Sequence, residues 1–363
     1  MATVQPTSQQ HHLNRLKGRD IILFGAGTLG REMAQMAHAE GLNVVGFADE
    51  TPAKQGKKLE GVEINTPKNL QKLHPNALWV VCVFLPFHSF IKTKAKLEGV
   101  GVKNVASFYE ILRAYPQHMP KYFFDAPENY DAATLNELRN VLFDDASKET
   151  LKAFETVVNT GDFSVLPYHE FLKDNPIDFS PSHSFLDAGA YNGDTLEAFI
   201  KLHGLNFDKY IALEPDTQNY LELEVKAMKV LQAGGNVLTL NDALWKIDGK
   251  IFFDAQGNTA SSIDESAING VEVTTRSLDS LFKEYGLDGK TCIKFDVEGA
   301  ELEAIQAAEH TISTHKPPLM ISVYHKPHDL TQVYNVVKRF NPDYRYALRC
   351  HAYDGADLML YCF

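Results

Sequence analysis

Residues 185–194, FLDAGAYNGD, form an apolar run that ends in a turn with two glycines, and Glu214 closes the next apolar run in YIALEPD. The roughly 20 residues between Gly193 and Glu214 are enough for one helix and one strand. An apolar strand, a glycine turn, a helix and a second strand are typical of a parallel α/β sheet. In such a sheet, Gly189 and Gly193 let the backbone turn tightly and lie against a ligand.

The acidic residues around this turn limit the ligand that it can bind. An acid at the end of the second strand is placed to accept hydrogen bonds from both ribose hydroxyls of an adenosine group. The turn is not Gly-x-Gly-x-x-Gly, and its two aspartates would repel a dinucleotide pyrophosphate. A cationic ligand without phosphate fits better, so we predict S-adenosylmethionine, which carries a sulfonium and an ammonium group. The predicted cofactor-binding residues are Asp187, Gly189 and Asp194 around the methionine part, Glu214 on the ribose, Asp242 on the adenine amine, and Tyr191, Gly193 and Ala243.

A second glycine turn lies near the start of the chain. Residues 21–24, IILF, predict a buried strand, and GAGTLG follows at residues 25–30, before a helical pattern. An acid ends the next strand about 20 residues beyond the last glycine, where dinucleotide-binding folds hold a ribose. The candidate site for NAD or a sugar nucleotide therefore consists of Gly25, Gly27, Gly30 and Asp49. The alternative is a tight strand-to-helix connection that binds no ligand.

The length of the chain and the prolines around its central segment predict two domains. At 363 residues, the chain exceeds the ~250–300 residues at which single cores stop growing. Two helical patterns, at residues 130–143 and 147–160, are bounded by prolines and separate two α/β halves. We predict the α/β class, with an N-terminal Rossmann-like domain and a C-terminal doubly wound, seven-stranded sheet. The predicted boundaries are a flexible leader at 1–19, a nucleotide-binding domain at 20–114, a helical connector at 115–182 and an S-adenosylmethionine-binding domain at 183–363. The seven strands predicted in the last domain are 184–188, 210–213, 237–240, 292–295, 319–323, 346–349 and 358–361, with a small β insertion at 251–253 and 271–274.

Composition predicts a cytoplasmic protein and argues against several partners. There are 35 Lys and Arg residues against 47 Asp and Glu, a formal charge of −12, and this balance disfavours a nucleic acid. The start of the chain lacks an apolar signal core, and the longest apolar stretch, residues 77–87, is too short to span a bilayer. The cysteines stand singly, which predicts buried reduced thiols and neither disulfides nor a zinc site; they are Cys82, Cys292, Cys350 and Cys362.

Several segments of the C-terminal half carry a family resemblance. They are FLDAGAYNGDT at 185–195, ALEPD at 212–216, ALW at 243–245, IKFDVEGAE at 293–301 and ISVYH at 321–325. Together they resemble the FkbM family of S-adenosylmethionine-dependent methyltransferases, and KFDVEGAE is the most specific of them. The resemblance implies an O-methyltransferase that acts on hydroxyls of glycans, polyketides or similar secondary products. The N-terminal half, through GAGTLG and VGFAD at 45–49, resembles the Rossmann-like, sugar-nucleotide-binding domain that precedes some sugar-modifying enzymes.

Methyl transfer to a hydroxyl needs groups that align the reactants and a group that takes the proton. Asp296 and Glu298 end the fourth predicted strand of the C-terminal domain, and His325 ends the fifth. Because carboxyl ends of parallel strands line the ligand crevice of an open α/β sheet, we expect these three side chains to converge. We predict a neutral His325 as the general base and Asp296 as a positioning group. The alternatives are a helix cap at Asp296, a first-turn acid at Glu298 or Glu301, and a surface turn at His325.

These observations predict a two-domain enzyme that transfers a methyl group to a hydroxyl of a sugar, glycan or related metabolite. The catalytic residues offer O and N ligands for a metal, but without a dedicated ligand spacing, so no metal is expected. Expected partners are the small-molecule or glycan acceptor, with no nucleic acid and no membrane, and a homo-oligomer is left open. One alternative is a nucleotide-regulated binding protein whose second domain only senses S-adenosylmethionine. Another is an oxidoreductase, which residues 78–108 disfavour because they offer only His88 for hydride-transfer chemistry.

Overall fold

The computed structural model describes residues 8–85, 87–119, 130–254, 262–263, 271–353, 355 and 357–363. It has the mixed α/β fold that the sequence predicts. The chain divides into two compact units. The N-terminal unit comprises Met1–Asn129, Thr150–Tyr168 and Ala352–Ala356, and the C-terminal unit comprises Tyr130–Glu149, His169–His351 and Asp357–Phe363. Each unit is therefore built from discontinuous segments of the chain.

The N-terminal unit contains a six-stranded sheet. Its strands are β1 (Asp20–Phe24), β2 (Asn43–Ala48), β3 (Lys58–Leu59), β4 (Val62–Asn65), β5 (Leu78–Val81) and β6 (Val105–Ser107). Its helices are α1 (Ser8–Leu16), α2 (Thr28–Ala39), α3 (Pro67–Leu73), α4 (Phe90–Gly99) and α5 (Phe108–Ala114). The strand order is β3–β4–β2–β1–β5–β6, and every pairing except that of β3 with β4 is parallel.

Apolar strands place the first glycine turn at one edge of this sheet. The IILF run of β1 and the LWVV run of β5 are fully buried, as expected for parallel strands that are covered on both faces. Met33, Ala34 and Ala37 of α2 belong to the same core. The glycine turn connects β1 to α2 and therefore lies at the carboxyl end of β1. Ligands bind at this end of the strands in folds of this type.

The predicted flexible leader contains a helix. Within residues 1–19, α1 is ordered by its contacts with α5: Gln9 donates a hydrogen bond to the carbonyl of Ala114, and Arg15 pairs with Glu110. Leu16 is buried in the core of the N-terminal unit. The prediction of a flexible segment is therefore wrong for residues 8–16, whereas residues 1–7 lie outside the described residues.

The predicted helical connector at 115–182 contains two helices, α6 (Ala132–Val141) and α7 (Asp145–Thr160). They fall mainly in different units, because the boundary between the units lies at residues 149–150, within α7. Val157 of α7 belongs to the core of the N-terminal unit, while Asp144, just before α7, pairs with Arg349 in the C-terminal unit. Residues 120–129 of the predicted connector lie outside the described residues.

The C-terminal unit contains a seven-stranded sheet and a four-stranded one. Its strands are β7 (Ser184–Ala188), β8 (Tyr210–Leu213), β9 (Val237–Leu240), β10 (Asp242–Leu244), β11 (Gly249–Asp254), β12 (Ser262–Ile263), β13 (Val271–Arg276), β14 (Thr291–Phe295), β15 (Leu319–Ser322), β16 (Tyr346–Cys350) and β17 (Leu358–Cys362). Its helices, after α6, are α8 (Asp194–His203), α9 (Thr217–Gln232), α10 (Leu278–Tyr285), α11 (Glu301–Gln306), α12 (Glu309–His315) and α13 (Asp329–Phe340). The larger sheet has the order β16–β17–β15–β14–β7–β8–β9, and each predicted strand matches one of its strands to within one residue at each end. The smaller sheet, β10–β13–β11–β12, contains the predicted β insertion.

The larger sheet brings the predicted site residues to one edge. Its neighbouring strands β9, β8, β7, β14 and β15 all run parallel. Their carboxyl ends therefore lie on the same side of the sheet, which is the ligand-binding side of open α/β folds. The predicted cofactor turn follows β7, Glu214 follows β8, Asp242 follows β9 and Asp296 follows β14.

The four cysteines are buried and free, as predicted. Burial raises the pKa of the Cys292 thiol to about 12, so this residue is an unreactive thiol at neutral pH. Among the described residues, no helix combines the length and the apolar character needed to cross a membrane.

Candidate active site

The glycine turn after β7 is held tightly against the loop after β14. Gly189 has a φ of +81°, and a Cβ atom there would lie 1.8 Å from the carbonyl oxygen of Asp296. The amide of Asp296 donates a hydrogen bond of 3.0 Å to the carbonyl of Ala188. Because any side chain at position 189 would overlap this backbone, the two loops can meet only with glycine there. The predicted cofactor turn and the predicted catalytic loop are therefore in direct contact.

Tyr191, Gly193 and Asp194 complete the turn. Tyr191 and Gly193 have positive φ angles of +46° and +83°, and α8 begins directly afterwards. Asp194 is exposed in the first turn of α8, and its Oδ1 accepts a hydrogen bond from the amide of Thr195. The N-terminal end of a helix favours a negative charge, and a cationic ligand can reach the exposed carboxylate of Asp194.

Asp187 lies in the interior and not, as predicted, open to a ligand. Its side chain is fully buried, its Oδ2 accepts a 2.7 Å hydrogen bond from the Tyr210 hydroxyl, and its Oδ1 is 3.2 Å from Nζ of Lys294. Lys294 also donates to the carbonyl of Gly189 and lies 3.2 Å from Oδ2 of Asp296. Burial alone would lower the pKa of Lys294, but the two carboxylates raise it, so the ammonium stays charged. Asp187 thus supports the glycine turn from inside, through Lys294.

Glu214 is tied to the glycine turn from the neighbouring strand. Its Oε2 accepts a 2.8 Å hydrogen bond from the amide of Tyr191, and its Oε1 accepts one of 2.9 Å from the amide of Asp216. Burial raises the pKa of Glu214 to about 7, against the opposing effect of the two amides. A carboxylate oxygen has more than one lone pair, so both oxygens keep the capacity to accept from a ribose diol.

Asp242 and Ala243 begin β10, directly after β9. Oδ2 of Asp242 lies 3.8 Å from Nη1 of Arg276, and burial raises the pKa of Asp242 while Arg276 opposes the shift. Ala243 is buried. The side-chain amide of the preceding Asn241 donates a 2.8 Å hydrogen bond to the backbone carbonyl of Glu214, which links the start of β10 to the end of β8. An adenine amine bound to Asp242 would share the carboxylate with Arg276.

The structure brings Asp296, Glu298 and His325 together. Nε2 of His325 lies 3.3 Å from Oε2 of Glu298 and 3.8 Å from Oδ1 of Asp296. On the other side of the ring, Nδ1 lies 3.0 Å from Oε1 of Glu301. Glu301 begins α11 with a fully buried side chain, and its Oε1 accepts a 2.8 Å hydrogen bond from the amide of Val297. Three carboxylates therefore surround one imidazole.

These carboxylates change the expected protonation of His325. Burial alone would lower the pKa of the imidazole, but Glu301 and Glu298 raise it well above its ordinary value. The carboxylates therefore favour the protonated ring, which cannot accept a proton, over the neutral His325 expected from the sequence. Burial raises the pKa of Glu298, while Lys294 and His325 outweigh burial and lower that of Asp296. Glu298 is also the most exposed carboxylate of the three, with 31% of its side chain accessible.

Sequence reasoning assigned no role to Lys294 and interpreted Glu301 as a first-turn acid. Both belong to the KFDVEGAE segment, which indicates where the site lies but not which role each of its residues has. The available signal for Lys294 was its position inside an otherwise apolar strand, because a buried ammonium requires a carboxylate partner. Glu301 does begin a helix, and it also contacts His325, a contact that only the pairing of β14 with β15 creates.

The N-terminal glycine turn has the backbone features of a nucleotide-binding turn. Gly25 has a φ of +106°, and a Cβ there would lie 2.9 Å from the carbonyl oxygen of Cys82. A Cβ on Gly30 would lie 2.0 Å from the carbonyl oxygen of Gly25. A Cβ on Gly27, by contrast, meets no described atom within 4 Å. The fold thus requires Gly25 and Gly30, whereas Gly27 borders open space at the start of α2.

Asp49 already has partners within the N-terminal unit. Its Oδ2 accepts from the amide of Ala26 at 2.9 Å and pairs with Nζ of Lys54 at 2.9 Å, and its Oδ1 accepts from the amide of Thr51 at 2.8 Å. Burial alone would raise the pKa of Asp49, but the hydrogen bonds from Lys54 and Thr51 lower it to about 2. A ribose at this position would therefore compete with Lys54 for the carboxylate.

Residues 187–348 match the family model described as Methyltransferase FkbM domain. Among solved structures, the chain is similar to a methyltransferase FkbM from Methylobacillus flagellatus KT, with a TM-score of 0.77 and 21% identity over 99% of this chain and 94% of that one. Two further solved structures are similar only at TM-scores below 0.5. They are a UDP-D-quinovosamine 4-dehydrogenase from Vibrio fischeri (TM-score 0.22, 21% identity, 24% of this chain and 76% of that one) and a precorrin-6y C5,15-methyltransferase from Geobacter metallireducens GS-15 (0.31, 12%, 51% and 81%). No curated protein matches the chain.

The mixed α/β fold is consistent with a methyltransferase fold. The glycine turn after β7 and Glu214 lie at the same edge of the sheet as Glu298 and His325. Residues 187–348 match the methyltransferase FkbM domain that the sequence segments predicted, and this match supports a methyltransferase activity.

Proposed function

We propose that the protein transfers a methyl group from S-adenosylmethionine to a hydroxyl of a sugar, glycan or related secondary metabolite. The main support is the contact between Gly189 and the carbonyl of Asp296. This contact places the predicted cofactor turn next to the side chains of Asp296, Glu298 and His325, which can transfer protons. The match of residues 187–348 to the methyltransferase FkbM domain supports the methyl transfer itself. The hydroxyl acceptor is supported by the carboxylates at the edge of the sheet, which suit hydrogen bonds from a polyol.

The side chains at the glycine turn fit this cofactor. Asp194 is an exposed carboxylate suited to an ammonium group, and Glu214 keeps acceptor capacity for the ribose hydroxyls. The ammonium of Lys294 is engaged by Asp187 and Asp296, so it is not available to a phosphate group. The negative potential of the turn therefore favours a cationic ligand. When bound, S-adenosylmethionine supplies an electrophilic methyl group on its sulfonium.

In the proposed reaction, the acceptor oxygen forms a bond to the methyl carbon while the carbon–sulfur bond breaks and the hydroxyl proton leaves. Glu298, as the most exposed carboxylate of the cluster, takes this proton. His325 lies between Glu298 and Glu301 and positions Glu298. Asp296, held by Lys294, aligns the acceptor. This assignment gives the base function to Glu298, which replaces the neutral His325 expected from the sequence.

The test is a methyl-transfer assay on the full chain with labelled S-adenosylmethionine and a panel of sugars, glycans and polyketide alcohols. Glu298→Gln is expected to lower kcat by ~10²-fold or more while S-adenosylhomocysteine affinity stays unchanged. Glu303→Gln is the matched control, because Glu303 lies on α11 and pairs with Lys326 outside the cluster. The proposal fails if no hydroxyl acceptor on the panel is methylated. The base assignment alone fails if Glu298→Gln keeps kcat within about threefold of the parent.

We also propose that the N-terminal unit binds a sugar nucleotide or NAD and helps to hold the substrate. The support is Gly27, which borders open space at the start of a helix, where backbone amides favour a phosphate group. The pairing of Asp49 with Lys54 argues that the phosphate, and not the ribose, is the main contact. The partners and the compartment of the protein stay predictions from composition.

A further inference from the structure

We propose that Asp296, Glu301 and His325 form a binding site for a divalent transition-metal ion. One ligand atom from each residue lies within 4.8 Å of the other two. Atoms bound to a single ion at ~2.0–2.2 Å lie at most about 4.4 Å apart. Small side-chain rotations are therefore enough to bring the three ligand atoms onto one ion.

Polar atoms of this cluster lack the partners that buried groups require. Within the part of the chain that the structure describes, neither ring nitrogen of His325 makes a hydrogen bond. Carboxylate oxygens lie 3.0 Å and 3.3 Å away, so the N–H directions of the ring do not point at them. Nine-tenths of the His325 side chain is buried, since only 10% of it is exposed. Oε2 of Glu301, on a fully buried side chain, also has no hydrogen-bond partner among the described residues. Such atoms are rare in native proteins, and a metal ion accounts for them if it replaces a proton on one ring nitrogen of His325 and binds the carboxylate of Glu301.

The balance of charge around the cluster favours an added cation. Asp296, Glu298 and Glu301 supply three carboxylates, and the side chain of Glu301 is completely buried. Lys294 compensates Asp296 only in part, because Asp187 shares its ammonium. Buried carboxylates require pairing or metal coordination. A protonated His325 balances one of these charges, and an ion of charge +2 that replaces its proton supplies one positive charge more.

The ligand set selects the type of ion. One imidazole nitrogen with two carboxylates suits Mn²⁺ or Zn²⁺ better than Mg²⁺ or Ca²⁺, which prefer oxygen ligands alone. Three protein ligands leave further positions open, and the half-buried Glu298 stands beside them. If the proposed function holds, on which this role depends, an acceptor hydroxyl occupies an open position, becomes more acidic there, and gives its proton to Glu298.

Metal binding is measured on the chelator-treated full chain, without S-adenosylmethionine or an acceptor. Electron paramagnetic resonance titration with Mn²⁺ and calorimetry with Zn²⁺ are expected to give one site per chain, with a Kd on the order of micromolar. Asp296→Asn and His325→Gln should each weaken the affinity about tenfold or more, because each removes one ligand. Glu303→Gln, on the same helix as Glu301, should bind as the parent does. Equal affinities of the parent and of both ligand variants would overturn the proposal.

A second measurement needs no variant. Mn²⁺ bound at this site should show a ¹⁴N coupling from the imidazole of His325 in electron spin echo spectra of the parent, and bound Mn²⁺ without this coupling would also overturn the proposal. Circular dichroism checks that each variant is folded. Metal binding without methylation of any acceptor would leave the site standing and refute the proposed function. Methyl transfer by a chelator-treated protein that binds neither Mn²⁺ nor Zn²⁺ would refute the metal site and leave the proposed function standing.

Discussion

Replacement of Glu214 by Gln is expected to weaken the binding of S-adenosylhomocysteine about tenfold or more. Hydrogen bonds to a charged group contribute ~1.5–3 kcal/mol, and about 1.4 kcal/mol corresponds to a tenfold change in Kd. Gln keeps the size of Glu214 but loses the negative charge that, in the proposed complex, the ribose hydroxyls contact. It also presents an NH₂ group to the amide of Tyr191 or of Asp216, both of which donate to Glu214 in the structure. The variant therefore loses affinity through the ribose contact and through a looser turn.

The pKa of about 7 adds a pH dependence with a defined sign. The ionised fraction of Glu214 rises from ~10% at pH 6 to ~90% at pH 8, so the affinity of the parent should rise roughly tenfold over this range if only the carboxylate form binds. Binding then releases a proton. In the free protein the folded-state pKa lies above the ordinary value of 4.5, so the folded state binds more protons and this group's contribution to stability falls as pH rises from 4.5 to about 7.

Calorimetry at pH 6, 7 and 8, in two buffers that differ in ionisation enthalpy, measures both the affinity and the proton release. Glu222→Gln is the matched control, because Glu222 is an exposed acid on the same helix that follows Glu214. Glu214→Gln should lose the pH dependence as well as the affinity. A parent whose affinity is constant from pH 6 to pH 8, or a Glu214→Gln protein that binds as tightly as Glu222→Gln, would refute the assignment of Glu214 to the ribose.

Three further substitutions test the fold and the second binding site. Gly189→Ala should lower Tm far more than Gly204→Ala, because both positions have positive φ but only Gly189 lacks room for a Cβ; equal shifts in thermal unfolding would contradict the loop contact. Lys294→Met leaves Asp187 buried without its cation and should cost ~3–5 kcal/mol in urea unfolding, and a loss under about 1 kcal/mol would exclude a supporting role. Gly27→Val should leave Tm nearly unchanged but abolish stabilisation by sugar nucleotides or NAD, whereas a parent that none of these ligands stabilises would indicate a turn without a ligand.

The strands of the larger sheet could be predicted because each is a short apolar run bounded by polar residues. Parallel strands that are buried on both faces leave this continuous pattern in the sequence. The strand-end rule for open α/β sheets then predicted that Asp296, Glu298 and His325 meet. The short hairpin of β3 and β4 was missed because its segment, KLEGVEIN, is largely polar, and β10 was missed because it has only three residues.

The chemical state of the site could not be predicted in the same way. The protonation of His325 depends on Glu301, whose carboxylate reaches the ring only after α11 packs beside the end of β15. The role of Asp49 depends on Lys54, which is five residues away in sequence and ends a single 3₁₀ turn, Pro52–Lys54. In neither case did the spacing in the sequence identify the partner residue. Partners decide whether a carboxylate is open to a ligand or already used by the fold.

Lys294 shows how the two parts of the proposed site depend on each other. A single ammonium contacts Asp187 in β7, the carbonyl of Gly189 in the proposed cofactor turn, and Asp296 beside His325. Because these contacts are buried, weakening any one of them leaves the others with an incompletely compensated charge. The cofactor turn therefore cannot move without altering the electrostatics of Asp296. A cofactor bound at the turn and a metal ion bound at the cluster would in consequence affect each other's affinity, through Lys294 and the backbone contact at Gly189.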